Sequence, residues 1–284
     1  MSQPEEKGNL YIVSTPIGNL SDITLRALEI LKNIEIIAAE DTRTTRKILN
    51  KYSITSPKLI SCEEHSEEKR CGFLIEQLSD GKNIALLSEA GAPLISDPGY
   101  RLVKEAIRNN IRIIPIPGPS AVIAALSVSG CSTDKFSFLG YIPRSSSKRE
   151  DFIESLKSYD HTIILFESPH RIMKTLDVLA EKLPDREIAL CRELTKVHEE
   201  MLRGTPAEII GLIPDEEKIK GEITLVVNKA ARLRDERFIK IRTDEFYRIL
   251  TEEVGVKPSR AAALTARLSG VSRNVIYNRF KKEK

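Results

Sequence analysis

One stretch constrains this chain more than any other: Leu86-Leu87-Ser88-Glu89-Ala90-Gly91-Ala92-Pro93-Leu94-Ile95-Ser96-Asp97-Pro98-Gly99. An apolar, strand-like run passes directly into a loop of small residues, prolines and acids. This is how α/β proteins build ligand sites at the carboxyl ends of their strands. Pro93 and Pro98 stiffen the backbone, while Gly91 and Gly99 allow close approach or positive φ, so the loop can present carbonyls, amides and a few side chains to a flat ligand. The chain contains neither G-x-G-x-x-G nor G-x-x-x-x-G-K-[ST], which argues against a nucleotide held by its phosphates. Taken alone, the loop reads equally well as a rigid surface turn, and the rest of the chain has to decide.

The alternation of short β-branched runs with amphipathic segments predicts an α/β fold in three zones. Within 1–118, Leu10 to Ser14, Ile34 to Ala39, Leu59 to Cys62, Ile84 to Ser88 and Ile111 to Ile116 read as strands, with helical spacing between them. That pattern calls for a mostly parallel, two-sided sheet. The Pro117-Gly118-Pro119-Ser120 step breaks the chain, with Ser120 placed to cap a helix from Ala121 to Ser127. Within 119–230, Phe136 to Tyr141, Thr162 to Phe166, Ile188 to Cys191, Met201 to Arg203 and Ile223 to Val227 read as strands of a second α/β domain, with some antiparallel pairing. Thr205, Pro206 and Glu208 there form a helix start with a capping box. The last zone, 231–284, reads as helical: Asp244 to Glu253, a break at Gly255, Pro258 to Leu268, then a turn at Gly270 and a final helix opened by Ser272.

Charge separates the tail from the body. Residues 229–284 carry 15 Lys and Arg against 7 Asp and Glu, a net +8, inside a chain whose total is +3, which leaves −5 for the rest. A basic helical tail on an acidic body suits contact with a polyanion, most naturally nucleic acid, although a solvated helical surface gives the same count. Arg260, Arg267, Arg273 and Arg279 of the tail, together with a basic loop bearing Arg144, Lys148 and Arg149, are the candidate contacts to such a partner. Cys62, Cys71, Cys131 and Cys191 are scattered without ligand spacing, so reduced thiols and no metal are expected. No apolar run approaches the roughly 18 residues that span a bilayer, and the start of the chain is polar and acidic, so a cytoplasmic location and no membrane partner are expected.

Five segments in order make a resemblance specific: Thr15-Pro16-Ile17-Gly18-Asn19-Leu20-Ser21-Asp22-Ile23-Thr24, Ala39-Glu40-Asp41-Thr42-Arg43, the Ser88 to Gly99 loop, Pro115-Ile116-Pro117-Gly118-Pro119-Ser120-Ala121, and Gly221-Glu222-Ile223-Thr224-Leu225-Val226. Together they resemble the tetrapyrrole-methylase-like superfamily of S-adenosylmethionine methyltransferases over essentially the whole chain. Ala39 to Arg43, Phe166-Glu167-Ser168-Pro169-His170-Arg171 and the basic tail are similar to the branch that methylates the ribose 2′-oxygen of a decoding-centre cytidine in 16S ribosomal RNA. Glu89 stands where the family usually has Asp, and Ala92 where it usually has Thr.

The resemblance implies a class III methyltransferase: two α/β domains with S-adenosylmethionine in the cleft between them, a homodimer, and 16S rRNA within the small ribosomal subunit as partner. It places Pro16, Ser88, Glu89, Ala90, Gly91, Pro93, Leu94, Ser120, Ala121, Phe166, Leu202, Gly221, Glu222, Ile223 and Thr224 at the cofactor. Physically, the helix amides at Ser120 and Ala121 suit a carboxylate, and the backbone of Gly221 to Thr224 suits an adenine edge. Methyl transfer to a hydroxyl needs alignment and a proton acceptor. The candidates are Glu40, Asp41 and Glu167, with Arg43 or Arg171 to grip a flanking phosphate; for each of these, a structural carboxylate–arginine pair is the competing reading. A tetrapyrrole methyltransferase would share the body but need no basic tail, and a non-catalytic RNA-binding protein would need no ligand loops.

Overall fold

The computed structural model describes residues 7–55, 57–62, 67–213, 219–230, 243–269 and 271–281. Residues 1–6, residues 231–242 of the basic tail and the turn expected at Gly270 lie outside them. The described chain divides into two compact units, Met1–Lys229 and Ala230–Lys284.

The larger unit contains two five-stranded sheets. The first has the order β3-β2-β4-β1-β5, all parallel, from β1 (Leu10–Val13), β2 (Ile36–Ala39), β3 (Lys58–Ser61), β4 (Ile84–Leu87) and β5 (Ile113–Ile116). Helices α1 (Leu25–Asn33), α2 (Thr42–Lys51), α3 (Glu67–Ser79) and α4 (Tyr100–Arg108) connect them. Alternation along each strand sorts the helices onto two faces. Ile36, Ala38, Ile84 and Leu86 share a core with Leu74 and Leu78 of α3 and Leu102 and Ala106 of α4. Ile37, Ala39, Ala85 and Leu87 share another with Ala27 and Leu31 of α1 and Ile48 and Leu49 of α2. Ile34 and Ile111, expected to begin strands, instead cap α1 and pack below β5, both buried. Pro115 sits in β5, an edge strand, where its missing N–H costs no ladder bond on the open side.

The second sheet has the order β6-β7-β10-β8-β9, from β6 (Phe136–Tyr141), β7 (Thr162–Glu167), β8 (Ile188–Arg192), β9 (Glu200–Gly204) and β10 (Ile223–Val227). Only β6 and β7 pair in parallel; the remaining pairs are antiparallel. One face carries the core of α6 (Ser146–Ser155), α7 (Ile172–Lys182) and α8 (Pro206–Leu212). The other face packs α5 (Ala121–Ser129), whose Val122, Ala125 and Leu126 meet Ile164, Ala189 and Val226, with Ile17 from the first half joining them. The expected capping box starts α8: the Thr205 amide donates to Glu208 Oε2 at 2.7 Å, and the Glu208 amide donates to Thr205 Oγ1 at 3.4 Å.

Two expectations around residues 144–149 need correction. The basic stretch is not a loop, because α6 begins at Ser146. Arg149, offered as an RNA contact, is only 6% exposed and shares the inward face of α6 with Ile153, four residues on, so it cannot reach a phosphate outside.

The smaller unit consists of α9 (243–248), which continues as a π-helical turn over Ile249–Glu253, then α10 (Pro258–Ser269) and α11 (Arg273–Lys281). Asp244 to Glu253 is therefore not one α-helix. The Val254 amide donates to Ile249 O at 3.0 Å, five residues back, and widens the last turn. Tyr247, Ala261, Ala262 and Ile276 form its core, with Tyr247 stacked on Phe280 at 4.1 Å between centroids.

Candidate active site

The chain leaves β1 toward β2 on one side of the first sheet and leaves β4 toward β5 on the other, although β1 and β4 are neighbours. Oppositely directed connections open a crevice at the strands' carboxyl ends. The segments that follow are stitched together there: the Thr15 amide donates to Gly91 O at 2.8 Å, and the Gly91 amide donates to Thr15 O at 3.0 Å. Gly91 has φ +83°, a conformation that its missing Cβ makes inexpensive. The Ser88 hydroxyl is buried beneath the loop, 3.2 Å from Gly91 O.

A cavity of about 430 Å3 lies over this loop. The first half contributes Ile17, Glu40, Glu89 to Ala92 and Ile95 to Asp97; the second contributes Ser120 to Val122, Tyr141, Phe166 to Pro169 and Gly221 to Thr224. Both halves belong to the Met1–Lys229 unit. Its polar lining is acidic. Glu40 Oε2 accepts the Glu89 amide at 3.0 Å, yet burial, with Glu89 and Asp41 nearby, holds the Glu40 carboxyl above its ordinary range. Asp97 is pushed up to about 7, first by burial and then by the negative charges of Glu40 and Glu89, with the Ser88 hydroxyl opposing. Burial, with the negative charges of Glu222, Asp97 and Glu40, raises the Tyr141 hydroxyl. The Tyr141 ring is tilted against Phe166 at 5.4 Å, and Phe166 packs edge-on against Phe138 at 4.8 Å.

The carboxylate–arginine pairs proposed for catalysis have structural work. Asp41 caps α2, accepting from the Arg43 amide at 2.6 Å and pairing with Arg43 Nη2 at 2.9 Å. Those bonds to Arg43 hold its carboxyl down at about 2. Neither residue lines the cavity. The Glu167 carboxylate is fully buried, paired with Arg171, accepting from the Ser168 amide at 2.7 Å and from Thr175 Oγ1 at 2.7 Å. Arg171 in turn donates to Ser168 Oγ at 3.0 Å and to Ile142 O at 3.2 Å, tying the ends of β6 and β7 to the start of α7. Glu167 thus shapes the corner that puts Ser168 and Pro169 on the cavity wall, and Arg171 stands behind it.

Of the cofactor residues expected from the sequence, Glu89, Ala90, Gly91, Ser120, Ala121, Phe166, Gly221, Glu222, Ile223 and Thr224 are brought together on the wall, as are Glu40 and Glu167 from the catalytic set. Pro16, Ser88, Pro93 and Leu94 lie outside it, with Leu94 packed into the α3–α4 core. Leu202 is a correction. In β9, Met201 faces the α5 side and Leu202 the opposite core, a consequence of the period of two that a sequence motif does not display. Missed altogether were Ile17, Asp97 and Tyr141, although Asp97 stood in plain view within the loop. Glu193 was also missed. It has φ +52°, accepts the Glu222 amide at 3.0 Å and Lys196 Nζ at 2.7 Å, and so clamps the Gly221-Glu222 turn from behind. Of the basic candidates, Arg144, Lys148, Arg260, Arg267 and Arg273 are exposed, whereas Arg279 Nη1 is paired with Asp244 at 2.8 Å. Among the described residues no His, Cys, Asp and Glu cluster is arranged to hold a metal ion, and no helix is long and apolar enough to cross a membrane.

Two α/β sheets of one compact unit, meeting at an acidic cleft over the carboxyl ends of parallel strands, make up the fold of the class III methyltransferases. The fold matches uroporphyrin-III-C-methyltransferase from Thermus thermophilus with TM-score 0.55 and 21% identity, covering 81% of this chain and 98% of that one. It matches cobalt precorrin-4 methyltransferase with TM-score 0.61 and 16% identity over 80% and 97%, and diphthine synthase with 0.59 and 16% over 78% and 90%. At these identities the likeness shows the fold alone. The profile of Tetrapyrrole (Corrin/Porphyrin) Methylases matches residues 9–210. "Ribosomal RNA small subunit methyltransferase I" of Halalkalibacterium halodurans is 42% identical over 287 residues, 99% of this chain and 97% of that protein. The protein of the same name from Haemophilus influenzae is 40% identical over 272 residues, 95% of each. The chain belongs to the tetrapyrrole methylase family and, within it, to the family of these ribosomal RNA small subunit methyltransferases I.

Proposed function

We propose that the protein methylates the ribose 2′-oxygen of a cytidine in 16S ribosomal RNA, presented by the small ribosomal subunit, with S-adenosylmethionine as donor. The names of the relatives support the acceptor class. The observation that carries the chemistry is Asp97, a cleft carboxyl raised to about 7. A hydroxyl must lose its proton as it is alkylated, and a base with a pKa near the working pH does this best.

The cleft fits the donor. Glu40, Glu89, Asp97 and Glu222 give it a negative field suited to a sulfonium cation. Ser120 makes no side-chain cap bond, so the first amides of α5, at the cleft wall, are left for a carboxylate. Gly221 to Thr224 offer the backbone edge that an adenine needs. When bound, S-adenosylmethionine supplies an electrophilic methyl group. The residues of the chain do the rest. Asp97 accepts the hydroxyl proton, and Glu40, bonded to the Glu89 amide, fixes the loop that presents it. The protonated Tyr141 hydroxyl stays available as a donor, and its ring, in a residue 60% exposed, offers a face for a nucleobase. Exposed Arg260, Arg267 and Arg273 of the helical unit, with Arg144 and Lys148 of the larger one, supply phosphate contacts.

Mapping 2′-O-methyl positions in 16S rRNA from a strain lacking the gene tests the reading. One cytidine should lose its ribose methyl and regain it on complementation; an unchanged map contradicts the proposal.

A further inference from the structure

β6 runs at the edge of the second sheet and pairs with β7 alone. The pairing slips. Phe138 is matched with Ile164 and Tyr141 with Phe166, so β6 takes three steps where β7 takes two. Beyond the slip the ladder resumes, with the Ile142 amide donating to Phe166 O at 3.2 Å. One extra residue reverses the face on which every later side chain lies. With strict alternation Tyr141 would follow Leu139 into the core shared with α6, α7 and α8. Instead Leu139 and Ile142, three apart, share that core, while Phe138 and Tyr141, also three apart, both meet the Phe166 ring on the other face. Bulges are rare between parallel strands and favour sheet edges beside active sites.

Gly140 lies within the slip, at φ +73°. That conformation is open to glycine and unfavourable for a β-branched residue. A Cβ added there would come 3.9 Å from Ser96 Oγ, so the bulge rests beside the residue that precedes Asp97. We propose that the Gly140 bulge positions the acceptor: it turns Tyr141 onto the cleft wall, where the ring stacks on the base of the nucleotide whose ribose is methylated. The inference rests on the acceptor being RNA. A base stacked between its neighbours keeps its ribose out of a cleft, and one swung out into the cleft loses that stacking. The Tyr141 ring replaces it. Phe166 supports the ring from one side, and Asp97, on the same cavity wall, is near enough for its charge to reach the phenol. Ribose and base of one nucleotide thereby meet a proton acceptor and a stacking face side by side. Because every base has a π-face, Tyr141 contributes affinity and orientation rather than the choice of base.

The test is a double-mutant cycle on the full chain, Gly140→Val and Tyr141→Ala, read as kcat and KM for 30S particles and KM for S-adenosylmethionine. Gly130→Val is the control. It strains another positive-φ glycine, at +79° with its nearest Cβ contact 4.0 Å away, at the end of α5 farther from the cleft. Tyr141→Ala should lower kcat/KM for 30S about 5- to 150-fold, the range for one base on one aromatic ring, and leave KM for S-adenosylmethionine in place. Gly140→Val should lose a similar factor, and the double variant no more than either alone, because both remove the same stack. Gly130→Val should melt at a lower temperature yet keep the wild-type kcat/KM. The chain contains no tryptophan, so Tyr141→Trp supplies a unique probe. It should recover most of the loss seen in Tyr141→Ala, and its emission, open to iodide quenching on the cleft wall, should lose that quenching once Gly140→Val is added. Additive losses in the cycle, an equal loss in Gly130→Val, a loss confined to KM for S-adenosylmethionine, or quenching that Gly140→Val leaves unchanged would each overturn the proposal. If wild type labels 30S and Tyr141→Ala matches it, the stacking role fails and the acceptor reading stands. If wild type labels no 30S, the acceptor reading fails and the stacking role with it.

Discussion

Replacing Asp97 by Asn should remove both the rate and its pH dependence. With the Asp97 carboxyl at about 7, roughly half of it is ionised at pH 7, about a tenth at pH 6 and about nine-tenths at pH 8. A reaction that needs the ionised form should therefore show kcat/KM for S-adenosylmethionine rising about tenfold from pH 6 to pH 8, because that parameter reports the free enzyme. The kcat profile should turn at lower pH, since a cation held within about 4–6 Å lowers a carboxyl by roughly 1–3 units. Asn keeps the shape but accepts no proton, so the variant should lose about 10^2- to 10^4-fold and give a flat profile. Ser88→Ala, which removes the hydroxyl that opposes the upward push on Asp97, should move the kcat/KM inflection to higher pH. The assay is transfer of labelled methyl to 30S particles in overlapping buffers of constant ionic strength. A wild-type profile that is flat between pH 6 and 8, or an Asn variant with the wild-type rate and inflection, would refute the assignment.

Other expectations follow from the same geometry. Arg171→Met leaves the buried Glu167 carboxylate without its charged partner, which should cost about 3–5 kcal/mol; a thermal melt unchanged from wild type would contradict this. Glu193→Ala frees the Gly221-Glu222 turn and should raise KM for S-adenosylmethionine about tenfold with less effect on kcat, the scale of one hydrogen bond to a charged acceptor. Glu193→Gln, which keeps an acceptor oxygen, should recover most of that loss; equal effects of Ala and Gln would rule out the clamp. Truncation after Lys229, at the boundary between the two compact units, should leave S-adenosylmethionine binding intact but weaken 30S binding and flatten its salt dependence. Equal slopes would assign the helical unit to packing.

Much of the fold was legible because its signals are local. All ten predicted strands exist, since short β-branched runs bounded by turn residues leave few alternatives. Thr205, Pro206 and Glu208 likewise spell their own helix start. The loop at 88–99 was readable as a stiff loop at a strand's carboxyl end for the same reason, and it lines the cleft. What failed was non-local. Asp41 and Glu167 are acids at strand ends, as a catalytic acid would be, and only the structure shows one capping a helix and the other buried against Arg171 and Thr175. Arg149 looks like its exposed neighbours until α6 turns it inward. Asp97 and Glu193 owe their importance to partners far away in the chain, Glu40 for the first and Glu222 for the second, and no spacing rule connects those positions.

The most direct test of the central claim is transfer of labelled methyl from S-adenosylmethionine to three acceptors side by side: 30S particles, naked 16S rRNA and a tetrapyrrole precursor. Nuclease digestion and nucleoside analysis then locate the label. The account predicts strong labelling of 30S particles, recovered as 2′-O-methylcytidine, with naked rRNA a poor acceptor because the flanking strand must be displayed on its natural scaffold. Label recovered on a base, or on the tetrapyrrole alone, would contradict it.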